Sequence, residues 1–402
     1  MARNENLDNL TLGSITDKSS GSTYDIDALA GGGTMTDLAN GNVVAVTNGS
    51  RTAVDPSGTS TPIQDALNIC QSNSGGKVFL PPTSIDEGGT ISMKSETMLL
   101  GFSVESTTIN ITPTGVPGIE FNSANNGSEW VRNATIDGFT LNGPGDGATT
   151  GPAIVHNGGS TENMHLGKVM VKNWHNAAYR VEGGNYPFQC RHDQFIIYST
   201  DAGDTTNVGS SFSGGALIEY NAWAAGPANW WGTINAYPTT TSSGVASRIL
   251  YMRAGSFHIE NMNLGGSSGE VAAISTDADC IINRVNYEPG SNPSAETSLV
   301  TFCGNTGFHR LGSLRVTAGN AVCDYAVTVK SGDQAYDIGK VYIGGAEADG
   351  GTINNNIVQI ASNVSAQSHE VVYEGLSSNV TDNSGATLSP GVSCLGDQTL
   401  VT

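Results

Sequence analysis

A short strand-forming run returns along this chain at a nearly constant interval, and that recurrence limits the accessible folds more than any other feature. The runs are Thr135–Leu141, Lys168–Val171, Gln194–Ile197, Gly232–Asn235, Ile259–Leu264, Ile281–Val285, Leu311–Val316, Ile338–Ile343 and Glu370–Tyr373. Measured from Ile136 to Val372 the mean interval is about 29 to 30 residues, the length of one structural repeat. A second series lies between them, at Ala153–Val155, Ala216–Ile218, Leu299–Phe302 and Ile357–Ile360. One such unit cannot bury its own apolar row, so many must stack. The spacing predicts an all-β chain, a parallel β-helix solenoid with two or three strands in each turn. About ten turns at about 4.8 Å each give a shaft of about 50 Å.

Composition agrees with many strands and many turns. Of 402 residues, 52 are Gly and only 13% are charged, which disfavours long helices. The formal net charge of −20 argues against nucleic acid and against an anionic membrane as partners. Solubility is the plain reading of that acidity. Bound Ca²⁺ and a high-salt habitat are the alternatives, the latter in keeping with only seven Lys among 17 basic residues. The six cysteines stand singly, without zinc spacing, and read as small buried apolar residues rather than disulfides. No apolar run has the length of a membrane span. The opening Met1–Asn6 carries no apolar export segment, and the expectation drawn from it is a virion protein released on lysis.

Near residue 60 the pattern changes. Thr61 is placed as an N-cap and Pro62 at the first helical position, with Ile63, Ala66, Leu67 and Cys70 on one face of a helix over 62–70. Ser74-Gly75-Gly76 ends it, and Lys77–Pro82 follows as a strand closed by prolines. The stretch TPIQDALNICQSNSGGKVFLPP, with GGTISMKSETMLLGFSVESTTINI after it, resembles the opening of pectate-lyase-superfamily β-helices, many viral tailspikes among them. In that family a short amphipathic helix caps the first turn. The resemblance covers residues 55–111; beyond it only the repeat continues. It implies a right-handed parallel β-helix of three-sided turns, placed at 55–376; the Gly/Thr/Asn-rich residues 1–54 read as an attachment arm and the Ser/Asn/Gly-rich 377–402 as a C-terminal cap. A hairpin is expected in the arm, turning at Asn40-Gly41 between Leu38 and Val44.

The family's catalytic signatures are absent. Neither the lyase Trp-Ile-Asp-His block nor the polygalacturonase Asn-Thr-Asp, Asp-Asp and Gly-His-Gly blocks occur. The nearest acid–base group is Arg191, His192 and Asp193, just ahead of a strand; exposed turn residues are the plainer reading. Asp137 and Glu260 lie in strands and are open to an outer groove. Trp223, Trp230, Trp231 and Tyr237 cluster in a chain poor in aromatics, and sugar rings stack on such side chains. Packing at an interface is the alternative. Asp201, Asp204, Asp277 and Asp279 offer oxygen ligands of the kind Ca²⁺ takes, though without an EF-hand pattern, and no other cofactor is indicated.

Two functions are therefore expected to compete. The first is a virion surface protein (a spike, fibre or capsid decoration) that contacts the host surface, binding a glycan or glycoprotein. It would be a homotrimer joined to other virion proteins through its arm. The second is a polysaccharide depolymerase, a lyase or a glycoside hydrolase.

Overall fold

The computed structural model describes residues 33–48, 50–126, 130–145, 151–182 and 187–198. Beyond them it describes 216–220, 229–237, 248–252, 255–265, 274–276, 279–288, 298–302, 308–317, 322–323, 325–329, 335–344, 352–353, 358–360, 365–369 and 381–382. Residues 15–16 and 23–24 are also described, as a two-stranded antiparallel pair.

The architecture is all-β, with parallel sheets. A 16-stranded sheet takes, in chain order, strands that include Thr135–Asp137, His165–Lys172, Arg191–Tyr198, Asn229–Tyr237, Ser256–Gly265, Asp279–Glu288, Phe308–Thr317 and Ala335–Gly344. An 11-stranded second sheet takes the strands between, among them Ile154–Gly158, Tyr179–Val181, Ala216–Tyr220 and Ser298–Phe302. For the strands named, the chain alternates between the two sheets, and sequence order and sheet order coincide. The recurrent runs fall inside these strands as expected, except Glu370–Tyr373, which lies outside the described residues.

Parallel register stacks like on like. Ile136, Leu166, His192, Trp231, Ile259, Ile282, Leu311 and Ile338 form one inward row across eight strands. The spacing between stacked partners varies from 23 residues (Ile259 to Ile282) to 39 (His192 to Trp231). Just before successive long-sheet strands the chain turns through a left-handed residue: Glu96, Asn133, Asn163 and Gln189, with φ between 51° and 59°. Asn tolerates this conformation better than most residues. It also bonds along the stack: Asn133 Nδ2 donates to Glu96 Oε1 at 2.7 Å, and Asn163 Nδ2 to Asn133 Oδ1 at 3.3 Å.

The helix is Pro62–Ser72, and it buries Pro62, Ile63, Ala66, Leu67 and Cys70, the face read from the sequence. Its cap differs. The Thr61 side chain makes no capping bond. Instead Glu87, from strand Ser84–Glu87, accepts the Ile63 N–H through Oε2 at 2.9 Å. The expected hairpin also moves. Leu38 belongs to a helix, Gly33–Ala39, and Asn40-Gly41 terminate it, Gly41 with φ 84°. The hairpin pairs Val43–Thr47 with Ser50–Val54. Val43–Thr47 also pairs antiparallel with Gly76–Phe79, so part of the stretch read as an arm is integral to the long sheet. Its unbroken VVAV run suits a strand buried on both faces.

Candidate functional site

Alternation along Arg191–Tyr198 divides the Arg191, His192, Asp193 group between two faces. Arg191 is exposed and Asp193 half-buried on the outer face, while His192 is 1% exposed and lies in the core. At Asp193 the alternation then slips. Asp193 and Gln194 both stay out of the core before Phe195 turns in, and the same doublet recurs at 137/138, 260/261, 283/284 and 312/313. The first slot of the doublet is occupied in successive strands by Asp137, Gly167, Asp193, Gly232, Glu260, Asn283 and Gly312.

From Asp137 to Glu260 carboxylates and glycines therefore alternate down one column, with consecutive carboxylates two strands, or about 10 Å, apart. The glycines are required. A Cβ on Gly167 would collide with the Asp137 carboxylate, and one on Gly232 would strike the Asp193 carbonyl oxygen and come within 3.0 Å of the Trp230 ring. The indole of Trp230 thus lies along its strand, over Gly232.

The neighbouring outward row is His165, Arg191, Trp230 and His258, all register partners. His165 Nε2 lies 2.8 Å from Asp193 Oδ2, and Arg191 Nε donates to Asp193 Oδ1 at 2.6 Å. The Arg191 guanidinium sits 5.0 Å from the Trp230 ring centroid. On the other side His258 Nε2 is 3.1 Å from Glu260 Oε1, and Asn283 Nδ2 donates to Glu260 Oε2 at 2.7 Å. Trp230 is an aromatic plate flanked on each side by a histidine–carboxylate pair. Burial pushes the Asp193 carboxyl up, but hydrogen bonds from His165 and Arg191, together with their charge, outweigh it and hold the group below the ordinary carboxylate range. Asp193 is therefore an acceptor and not a proton donor near neutral pH. His192, driven down to about 3 by burial, is neutral and out of reach of any outer ligand.

At the far end of the same strands Tyr198 and Tyr237 are register partners, 50% and 45% exposed. The Tyr237 ring lies against Gly265, where a Cβ would meet it at 3.0 Å.

Of the aromatic group read from the sequence, Trp230 and Tyr237 share this face. Trp231 does not: it is 0% exposed in the core, so no face of its ring is open to a sugar. Trp223, Asp201, Asp204 and Asp277 lie outside the described residues. Asp279 is exposed and accepts the Phe308 N–H at 2.6 Å. Among the described residues no group of three or more His, Cys, Asp or Glu is arranged to hold a metal ion. His165, His258, Asn283 and Tyr198 were not singled out from the sequence. The signal was present as an inward residue followed by Gly, Asp, Glu or Asn: Leu166-Gly167, His192-Asp193, Trp231-Gly232, Ile259-Glu260, Ile282-Asn283. The residue before each pair lies in the outward row.

No protein-family model, no curated protein and no solved structure matches the chain.

Proposed function

We propose that the chain is a right-handed parallel β-helix whose outer long-sheet face holds a glycan, and that it serves on the surface of a virus particle in contact with the host. The observation that carries the glycan reading is the Trp230 plate over Gly232, with Asp193 and Arg191 on one side and Glu260 and Asn283 on the other. A flat ring faces the apolar side of a sugar, and the flanking charged and amide groups suit its hydroxyls. Consecutive parallel pairing from Gly76–Phe79 onward in the long sheet, and throughout the second sheet, supports the β-helix. The virion setting rests on the resemblance of residues 55–111 to tailspike openings, and a homotrimer on the closed symmetry that suits a projecting spike.

The test is retention of the protein on host-envelope polysaccharide. Trp230→Ala should weaken it about tenfold or more, as for loss of a central aromatic anchor. Unchanged retention would remove the site. Light scattering that returned a monomer would remove the trimer.

Depolymerisation is the second reading, and one observation favours it: two carboxylates, Asp193 and Glu260, face outward from one column with only Gly232 between them. Release of new reducing ends, abolished by Asp193→Ala, would establish it over simple binding.

A further inference from the structure

The outer face of the long sheet has the opposite charge balance to the rest of the chain. The six strands from His165–Lys172 to Phe308–Thr317 carry six basic residues (Lys168, Lys172, Arg191, Arg284, Arg310, Arg315) and four acidic ones (Asp193, Glu260, Asp279, Glu288). That is a formal +2 within a chain of −20. Two of these cations are committed: Lys168 to Glu105 at 3.4 Å and Arg191 to Asp193. Arg284 and Arg315 are both exposed, and neither forms an ion pair among the described residues.

These two are neighbours. Arg284 pairs in register with Ser313, and Arg315 with Asn286, so their backbones are diagonal across adjacent strands, about 8 Å apart. Of the acids on the Arg284 strand, Asp279 stands at the far end, and Glu288, a diagonal neighbour of Arg315, makes no ion pair with it among the described residues. Glu260, one strand away, is held by His258 and Asn283. The amides alongside are bonded to each other: Asn263 Nδ2 donates to Asn235 Oδ1 at 2.8 Å, and Asn286 Nδ2 to Asn263 Oδ1 at 2.9 Å. In a chain with more than two carboxylates per cation, two adjacent arginines on a flat face are left to a ligand.

We propose that Arg284 and Arg315 form a subsite for an acidic group, so that the glycan is an anionic polysaccharide. This rests on the reading of the same face as a glycan site. Tyr237 is two strands from Arg284 and three from Arg315, and with the offset along the strands each is roughly 16 Å away, within the span of a short oligosaccharide running diagonally across the strands. The planar guanidinium matches a carboxylate or a sulfate in the two-pronged manner, and Arg serves this better than Lys. The protein's overall negative charge repels such a polymer everywhere else.

The experiment compares affinity for polygalacturonate (carboxylate), dextran sulfate (sulfate) and dextran (neutral), for the wild type, an Arg284→Gln/Arg315→Gln variant and an Arg284→Lys/Arg315→Lys variant. Both substitutions are at exposed sites, and circular dichroism confirms folding. The wild type should prefer a charged polymer over dextran and lose that preference as salt rises. The Gln variant should lose about tenfold or more on the charged polymer, and the Lys variant should keep part of it. The tighter of the two charged polymers identifies the acidic group. Equal affinity of the wild type for dextran and the charged polymers, or a Gln variant as tight as wild type, would overturn the subsite while leaving glycan binding intact. Failure to bind any of the three, or any host-envelope polysaccharide, would overturn the glycan reading itself.

Discussion

His192 and Trp231 stack face to face in the core, ring centroids 3.7 Å apart and planes within 1° of parallel. They are register partners on adjacent strands, and the stack places a titratable ring where water cannot reach it. The proton positions follow from the partners. The Trp230 carbonyl oxygen only accepts, so the His192 Nδ1 beside it, at 3.3 Å, carries the hydrogen. His192 Nε2 then accepts from the Tyr179 hydroxyl at 3.2 Å, and Tyr179 in turn accepts from His156 Nε2–H at 2.7 Å. His156 Nδ1 is left to accept from Thr161 at 2.8 Å. The chain of donors runs one way, from Thr161 to Trp230, and only with both histidines neutral.

Acid should therefore unfold this core. Burial drives both His156 and His192 down from 6.5 to about 3. A histidine whose folded value is depressed lends stability that is complete above about 6.5 and lost as pH falls toward 3. The melting temperature should drop across that window. His192→Phe should flatten the drop and cost about 1–3 kcal/mol at neutral pH, since the Tyr179 hydroxyl loses its acceptor. An unaltered pH slope in this variant would remove His192 from the account.

Glu87 should act in the opposite direction. It is fully buried at the helix end, and burial raises it to about 7, against the lowering effect of the Ile63 and Gln64 N–H groups. A carboxyl with a raised folded value stabilises most below its unfolded value of 4.5, and that contribution is lost as pH rises through 7. Glu87→Gln should abolish this dependence while keeping an acceptor for Ile63. Glu87→Ala should cost about 0.5–2 kcal/mol, as for other lost caps. Melting curves of the two variants at pH 5 and 8 separate this effect from the histidine one.

The two adjacent tryptophans should separate function from stability. Trp231→Ala empties a buried site and should cost about 3–5 kcal/mol in denaturant unfolding. Trp230→Ala removes an outer side chain and should leave the midpoint nearly unmoved while weakening retention on polysaccharide. Equal loss of stability in both would show that Trp230 is part of the packing.

Reduction should leave the fold intact. Cys70, Cys190 and Cys280 are free and buried, and burial raises their thiols to about 11, 12 and 12. They should resist alkylation in the native state and react only on unfolding. Rapid native labelling of any of the three, traced by peptide mass, would contradict that environment.

The strands were legible because their information is local. Short β-branched runs between Gly and Asn turns occur where the sheets are, and the amphipathic face of Pro62–Ser72 was readable from Ile63, Ala66, Leu67 and Cys70. Thr61 was readable as a cap type, but Glu87 lies 24 residues from Ile63 and out-competes it from a separate strand. Arg191, Asp193 and Trp230 lie on the outer face, whereas His192 and Trp231, beside them in sequence and with the same chemistry, belong to the core.

By itself the sequence determined that the chain is built of many short strands, because alternation, turn residues and β-branching act within a few residues. Only the tertiary structure decided which residues meet. Intervals between stacked parallel partners range from 21 to 39 residues, so no single period predicts that His165 lies against Asp193, or that Arg284 and Arg315 are diagonal neighbours. The doublet at the Asp, Glu and Asn slots then shifts the alternation by one, and that shift keeps Gln194 on the outer face with Asp193 and turns Phe195 inward. Both are consequences of parallel register between distant segments, which local propensity does not encode.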